Sequence, residues 1–380
     1  MKILVSTFGG DGGKSGIGQY IIHLLREFPR LAPDVQFDIL MFEGEEELYI
    51  ADPGRTKAII VGKHLSNPMK NLLWQQFAMP RLCYREKYDL LFIPAGNRRM
   101  PFWAPCSSVG TFHDLAILHV PGKYDKIHTF YNRFILPVLA RRLTKVITIS
   151  EFSKRDLVDY VRVPEGRVEV IMLAADSNRY FPRDKMESGQ RVAEHYGFRL
   201  PYILYISRIE HPGKNHIRLI RAFGRLKEED NLPHQLVLAG SDWHGAEKVH
   251  EEAALCGASK DIIFTGFVDQ EDIPLLYCGA DAFAFPSLFE GFGLPILEAM
   301  ASGVPVACSN ASSLPEVAGN AAQMFDPKDE DSIEDALRQV LLNEATRSNL
   351  IARGHVQSGK FSWEKTATRT LNVFRKATEV

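Results

Sequence analysis

Glu290 and Glu298 stand eight positions apart in the run Glu290-Gly-Phe-Gly-Leu-Pro-Ile-Leu-Glu298, where two glycines and a proline also coincide. Gly291 and Gly293 let the backbone turn sharply or approach a ligand with no Cβ in the way. Pro295 suits the first turn of a helix, where a missing N–H costs nothing. A helix opening at a glycine loop points N–H groups and the positive end of its dipole outward, which favours an anion, most often phosphate. A free carboxylate so close would repel that phosphate. Glu298, near the end of the first helical turn, is therefore expected to face hydroxyls such as those of a ribose, and Glu290 those of a second sugar. The implied ligand is a sugar joined to a nucleotide through a pyrophosphate. An ordinary βαβ connection with two solvated glutamates is the plainer alternative, and the coincidence of glycines, proline and both acids weighs against it.

Three other side chains have the right chemistry for such a ligand. Arg208 ends the apolar run Tyr202-Ile-Leu-Tyr-Ile-Ser207, and Lys214 follows in the turn before the next helix. Two cations at the end of one strand could neutralise a diphosphate and stabilise it as it leaves. A solvated surface lysine is the alternative for Lys214. His113 and Asp114 close the run Ser108-Val-Gly-Thr-Phe112, at the strand end where open parallel sheets gather ligand groups. Taken alone, His113 reads more readily as a packing residue, and Asp114 as a cap or orienting group.

These residues must be positioned by strands and helices in alternation. Ile3-Leu-Val-Ser6 is a strand, and Phe8 to Gly18 is a glycine-rich loop opening into a helix over Gln19–Glu27. The loop fits neither the dinucleotide nor the P-loop fingerprint, since the required glycines are missing. This disfavours a nicotinamide dehydrogenase. Further strands are expected over 36–42, 57–61, 89–94, 146–149, 169–173, 235–239, 262–268, 282–285 and 304–307. Helices are expected over 71–83, 126–145, 216–228, 295–302, 332–342 and 363–376. Ser150 and Ser153 suit a helix cap. Asp329-Glu-Asp331 is a literal Asp-x-Asp, but its place before a helix makes it an N-terminal cap, and no metal site is expected.

The 380 residues suffice for two domains, and 45% hydrophobic residues with a net charge of −2 describe a globular protein with no electrostatic reason to bind nucleic acid. No stretch approaches the roughly 18 apolar residues of a membrane span, and the start shows no signal-peptide pattern. Five scattered cysteines read as thiols of a reducing compartment. A cytoplasmic location is expected. The 126–145 segment pairs apolar residues with Arg133, Arg141, Arg142 and Lys145, which is compatible with peripheral contact on the inner face of the cell membrane, although a core helix with a basic edge is the simpler reading.

The run from Glu290 to Val306 resembles the signature of glycosyltransferase family 4, retaining enzymes of the GT-B fold. Glu290 and Glu298 match the two acids of that family's E-x7-E motif. Arg208 and Lys214 match its phosphate-binding arginine and lysine, with an intervening loop one residue longer than usual. Thr111-Phe-His113-Asp114 resembles its histidine beside the transferred sugar, Gly16-Ile-Gly18 its first loop, and Ser150-Glu-Phe-Ser153 its serine turn. Met172-Leu-Ala-Ala-Asp176 departs from the run that many relatives carry at the hinge.

The resemblance implies an α/β chain of two Rossmann-like doubly wound domains facing across a cleft. Residues 1–178 would form the acceptor side, with helix 361–380 crossing back onto it, and 179–360 would bind the nucleotide sugar. It implies catalytic roles for His113, Glu290, Arg208 and Lys214. Donor contacts would come from Gly16, Gly18, Ser207, Val268, Phe292, Gly293, Leu294 and Glu298. The activity implied is retaining, metal-independent sugar transfer from a GDP- or UDP-linked donor to a saccharide or lipid-linked acceptor. Trp74-Gln-Gln-Phe-Ala-Met-Pro80 and Thr111–Leu115 resemble the subgroup that builds bacterial surface polysaccharide, often with mannose. A sugar-nucleotide epimerase, a sugar-phosphate synthase and a non-catalytic nucleotide-sugar-binding protein are the alternatives.

Overall fold

The structure, a computed structural model, describes residues 1–98, 100–119 and 129–379. It divides into two compact units. The first comprises Met1–Ile117, Tyr124–Leu173 and Ser362–Val380, and the second Leu118–Lys123 and Ala174–Phe361.

The first unit holds strands β1 (Lys2–Ser6), β2 (Gln36–Phe42), β3 (Thr56–Val61), β4 (Leu90–Ile93), β5 (Ser107–Phe112), β6 (Lys145–Thr148) and β7 (Val168–Val170). They form one parallel sheet in the order β3-β2-β1-β4-β5-β6-β7. Its central strands are apolar on both faces, as a sheet covered by helices on both sides requires. The helix Gly16–Leu31 starts earlier than expected because Ser15 caps it, its hydroxyl accepting from Gly18 N at 3.2 Å. Helix Trp363–Thr378 returns to this unit. Trp363 stacks on His23 at 4.4 Å between ring centroids, and Phe374 meets Phe28 and Phe92 at 5.6 and 4.8 Å.

Of the helix expected over 126–145, residues 126–128 lie outside the described residues. The described part is shorter than that reading. It widens to a π turn over Tyr131–Ile135, continues as α-helix over Leu136–Ala140 and stops, and Lys145 already begins β6. Pro137 has no N–H to give the carbonyl of Arg133, and the ladder shifts to Leu136 N bonding Tyr131 O.

The second unit holds β8 (Tyr202–Ile206), β9 (Gln235–Ala239), β10 (Ile262–Gly266), β11 (Ala282–Phe285), β12 (Val306–Ser309) and β13 (Gln323–Phe325). Their order is β10-β9-β8-β11-β12-β13, again all parallel. In both sheets the order reverses at the first strand of the unit. Loops leaving the two strands at such a switch point diverge and open a crevice for ligand. In the second unit those strands are β8, which leads to Arg208 and Lys214, and β11, which leads to Glu290.

Candidate active site

The loops after β8 and β11 are tied together by their own backbone and side chains. Leu288 N donates to Gly213 O at 3.0 Å, and Asn215 Nδ2 donates to Pro286 O at 3.0 Å. Tyr205, fully buried in β8, donates its hydroxyl to Lys214 O at 2.9 Å. Lys214 Nζ then reaches Glu290 Oε1 at 2.7 Å. Burial alone would lower the lysine pKa, but the charge of Glu290 and the neighbouring Tyr205 outweigh it and hold the ammonium above its usual range.

The Glu290 loop is also held from the next connection. Ser312 Oγ accepts from Glu290 N at 3.0 Å, and Ser313 Oγ donates to Glu290 O and Phe292 O at 2.9 and 3.0 Å. Helix Leu294–Ala301 starts from Gly293, whose φ is +103° and which offers no side chain to cap its first N–H groups. The backbone conformation favours glycine there, and a Cβ would come 2.5 Å from Leu314 Cδ2, so the Leu314 side chain would have to shift. Phe292 is buried, and Leu294 begins the helix.

Glu298 lies on that helix, partly buried. Tyr277 donates to its Oε2 at 3.0 Å, and Tyr180 supplies a second hydrogen bond. Burial pushes its carboxyl up to about 7, with the two tyrosines and Arg179 pulling the other way. Tyr277 was not legible as a site residue, because only the tertiary fold brings β11's preceding helix against Glu298.

Arg208 takes a different position from Lys214. Its side chain is 53% exposed, lies over the Trp243 ring at 4.9 Å and approaches Glu210 at 3.6 Å. The adjacent Ser207 hydroxyl meets His216 Nε2 at 3.2 Å, and burial brings that imidazole down to about 3. Val268 is buried just past β10 beside the exposed Phe267. Near it, His195, Asp269 and Asp272 bring three ligand-type atoms within 4.8 Å of one another. His195 Nδ1 bonds Asp272 Oδ2 at 3.0 Å and Tyr196 donates to the same oxygen at 2.9 Å, so His195 and Asp272 already have protein partners.

Ser207, Lys214, Glu290, the 292–294 turn and Glu298 therefore gather at the carboxyl edge of one sheet. His113, Gly16 and Gly18 belong to the first unit. His113 follows β5 and is 6% exposed, with Nε2 2.8 Å from Pro94 O and Tyr20 packed edge-on at 4.8 Å. A carbonyl can only accept, so Nε2 carries the proton and Nδ1 keeps the lone pair. Burial brings the imidazole down to about 4. Asp114 accepts from Ala116 N at 3.1 Å, an orienting turn. Gly18 is explained locally, since a Cβ would sit 2.3 Å from Gly10 O and 2.6 Å from Gly13 Cα. Gly16 begins the helix with open space around it. Asp329 caps helix Glu330–Leu342 by accepting from Asp331 N at 3.0 Å, and Asp331 pairs with Arg225 at 2.7 Å.

Known proteins resemble this chain in sequence and in fold. Residues 14–179 match the model of Glycosyltransferase Family 4, and residues 197–357 that of Glycosyl transferases group 1. O-antigen chain mannosyltransferase B of Escherichia coli is 36% identical over 270 residues, 70% of this chain and 70% of that protein. The serotype-specific mannosyltransferase WbdA of Escherichia coli is 34% identical over 276 residues, 72% of this chain but 34% of its own length. Among solved structures, HepE of Anabaena in complex with UDP and glucose aligns with a TM-score of 0.76 at 18% identity, covering 99% of this chain and 100% of that one. The sucrose-phosphate synthase of Thermosynechococcus elongatus gives 0.76 at 18% identity over 99% and 98%. At such identities these two likenesses establish the two-domain GT-B fold alone. With the matched models and the 36% identical relative, the chain belongs to glycosyltransferase family 4 and is a glycosyltransferase.

Proposed function

We propose that the chain is a retaining mannosyltransferase that moves the sugar of a nucleotide diphosphate, GDP- or UDP-linked, to a saccharide or lipid-linked acceptor during surface-polysaccharide assembly. The names of the 36% and 34% identical relatives support the sugar and the pathway class. The observation that carries the reading is the Lys214–Glu290 pair beside the uncapped start of helix Leu294–Ala301. A diphosphate reaching that turn meets helix N–H groups and an ammonium, which offset the charge of the departing phosphate without a divalent ion. Arg208, exposed at the same strand end, can swing onto the second phosphate. Glu290, shared with Lys214, accepts from hydroxyls of the transferred sugar, and Glu298 from those of the ribose.

Transfer breaks the bond between the anomeric carbon and the phosphate oxygen and forms one from that carbon to the acceptor oxygen on the same face. The acceptor proton passes to the departing phosphate, so no enzyme nucleophile is needed. His113, neutral with Nδ1 as acceptor, takes a hydrogen bond from a sugar hydroxyl rather than a proton. The test is a donor screen by thermal shift followed by turnover with and without chelator. Stabilisation by neither GDP- nor UDP-sugars, loss of turnover in chelator, or a covalent glycosyl adduct would each defeat part of this reading.

No described helix is long and apolar enough to cross a membrane. Helix Pro68–Glu86 instead exposes Met69, Leu73 and Phe77, and the neighbouring Phe102 and Trp103 are also open to solvent. Gln76 joins the two segments, accepting from Phe102 N and donating to Met100 O. This apolar surface, with Arg142 donating to Phe102 O at 2.9 Å, supports peripheral contact with an anionic bilayer.

A further inference from the structure

The residues discussed so far in the second unit sit at the carboxyl ends of its strands. At the opposite, amino-terminal ends of β11 and β12 a cavity of about 480 Å³ opens, lined by Arg183, Lys185, Asp281, Ser302, Arg347 and His355 among others. Its charge is strongly one-sided. Among the described residues Asp281 is the only carboxylate in the lining, and Lys185 Nζ lies 2.7 Å from its Oδ1. Arg183 and Arg347 make no ion pair among the described residues, which leaves two guanidinium charges for an incoming group.

Arg183 is already set in place. Its guanidinium lies 3.8 Å over the Phe181 ring, and Nη2 donates to Arg179 O at 2.9 Å. Such anchoring removes much of the entropy cost of using it. Arg347 projects from helix Glu344–Ser358, and His355 lies two turns further along the same helix. A second observation comes from the cavity wall. Ser302 is 4% exposed, lines the cavity, and its Oγ has no hydrogen-bond partner among the described residues. A buried hydroxyl in that state is costly, and native structures almost always give such a group a protein, water or ligand partner. Its position beside two cations selects an acceptor-rich anion.

We propose that this cavity binds the phosphate group of a soluble phosphorylated small molecule, with Arg183 and Arg347 meeting its charge and Ser302 donating to a phosphate oxygen. The volume exceeds what a bare phosphate fills and lies in the range of small-ligand sites, so a sugar-sized remainder fits. The site is separate from the diphosphate turn, because one lies at each end of β11 and helix Leu294–Ala301 runs from Gly293 at one to Ser302 at the other.

Inorganic phosphate is the probe, read by thermal shift on the full chain. The native protein should melt at higher temperature with rising phosphate. R347E should weaken the response at least tenfold and S302A about fivefold, and K214A should retain it. R347E alters a partly exposed helix position, and S302A checks the result should R347E misfold. No response in the native chain, full responses in both R347E and S302A, or a response lost only in K214A would overturn the proposal. So would binding to phosphatidylglycerol vesicles that R347E abolishes while inorganic phosphate has no effect, since a lipid headgroup would then be the ligand.

Discussion

Lys214 Nζ lies 2.7 Å from Glu290 Oε1, so the cation assigned to the diphosphate and the acid assigned to the sugar form one ion pair. Their side chains are only 17% and 18% exposed. Removing one partner of a pair this buried costs on the order of 3 kcal/mol, because the remaining charge loses its counter-charge in a poorly solvated place. Lys214→Met and Glu290→Gln should each lower stability by about that much in urea unfolding. The double variant should lose clearly less than the sum. Strict additivity would show that the two side chains do not depend on each other.

Glu298 gives stability an unusual pH dependence. Its folded pKa is near 7 and its ordinary value 4.5. Between those values the folded chain holds a proton that the unfolded chain has released, so stability from this group falls as pH rises through the window and is level above it. Glu298→Gln removes the effect. Relative to native, this variant should gain about 3 kcal/mol on going from pH 4 to pH 8. Unfolding curves at the two values check it, and a difference that shrinks with pH would contradict the raised pKa of this carboxyl.

His113 works in the other direction. Its pKa of about 4 lies below the usual 6.5, so the folded chain declines a proton that the unfolded chain takes up, and stability from this group is lost as pH falls from about 6.5 through 4. Its ring resonances should therefore stay constant from pH 5.5 to 8 in NMR titration. His113→Ala should slow turnover by about 10²-fold, the size of one lost transition-state hydrogen bond, while donor affinity changes little. An inflection near 6.5 assigned to His113 would rule out the neutral, acceptor role.

Phe77 and Trp103 are 67% and 56% exposed on the apolar surface of the first unit. Phe77→Ser with Trp103→Ser should leave the melting temperature nearly unchanged and reduce co-sedimentation with phosphatidylglycerol vesicles by at least fivefold. Equal sedimentation of native and variant protein would separate this surface from membrane contact.

Much of this was readable from residue order. Gln235–Ala239 and Ala282–Phe285 are strands with the expected bounds, because a strand buried on both faces is a short apolar run and glycine or proline ends it. The turn at Gly293 was equally plain, since few residues besides glycine adopt its φ. Helices Lys185–Tyr196, Ala246–Leu255 and Glu344–Ser358 left no comparable mark, being rich in charge with narrow apolar stripes. The partners of the site acids were also hidden. Tyr277 stands 21 positions from Glu298 and Lys214 76 from Glu290, separations that no local pattern encodes. Gly18 carries a local demand that its sequence pattern did not show. A glycine expected to approach a ligand is required by its own loop, where Gly10 and Gly13 occupy the space of a side chain.

The return of helix Trp363–Thr378 to the first unit sets an order of events during synthesis. Phe28 and Phe92 precede the second unit, yet the ring that covers them, Phe374, is made after every strand of that unit. On the ribosome, the unit begun first must wait with part of its apolar sheet uncovered, while every strand of the second unit is already available to fold. The first unit is thus the stage at which a slow or interrupted ribosome exposes aggregation-prone surface, and the segment most in need of a chaperone is the one translated before the second unit.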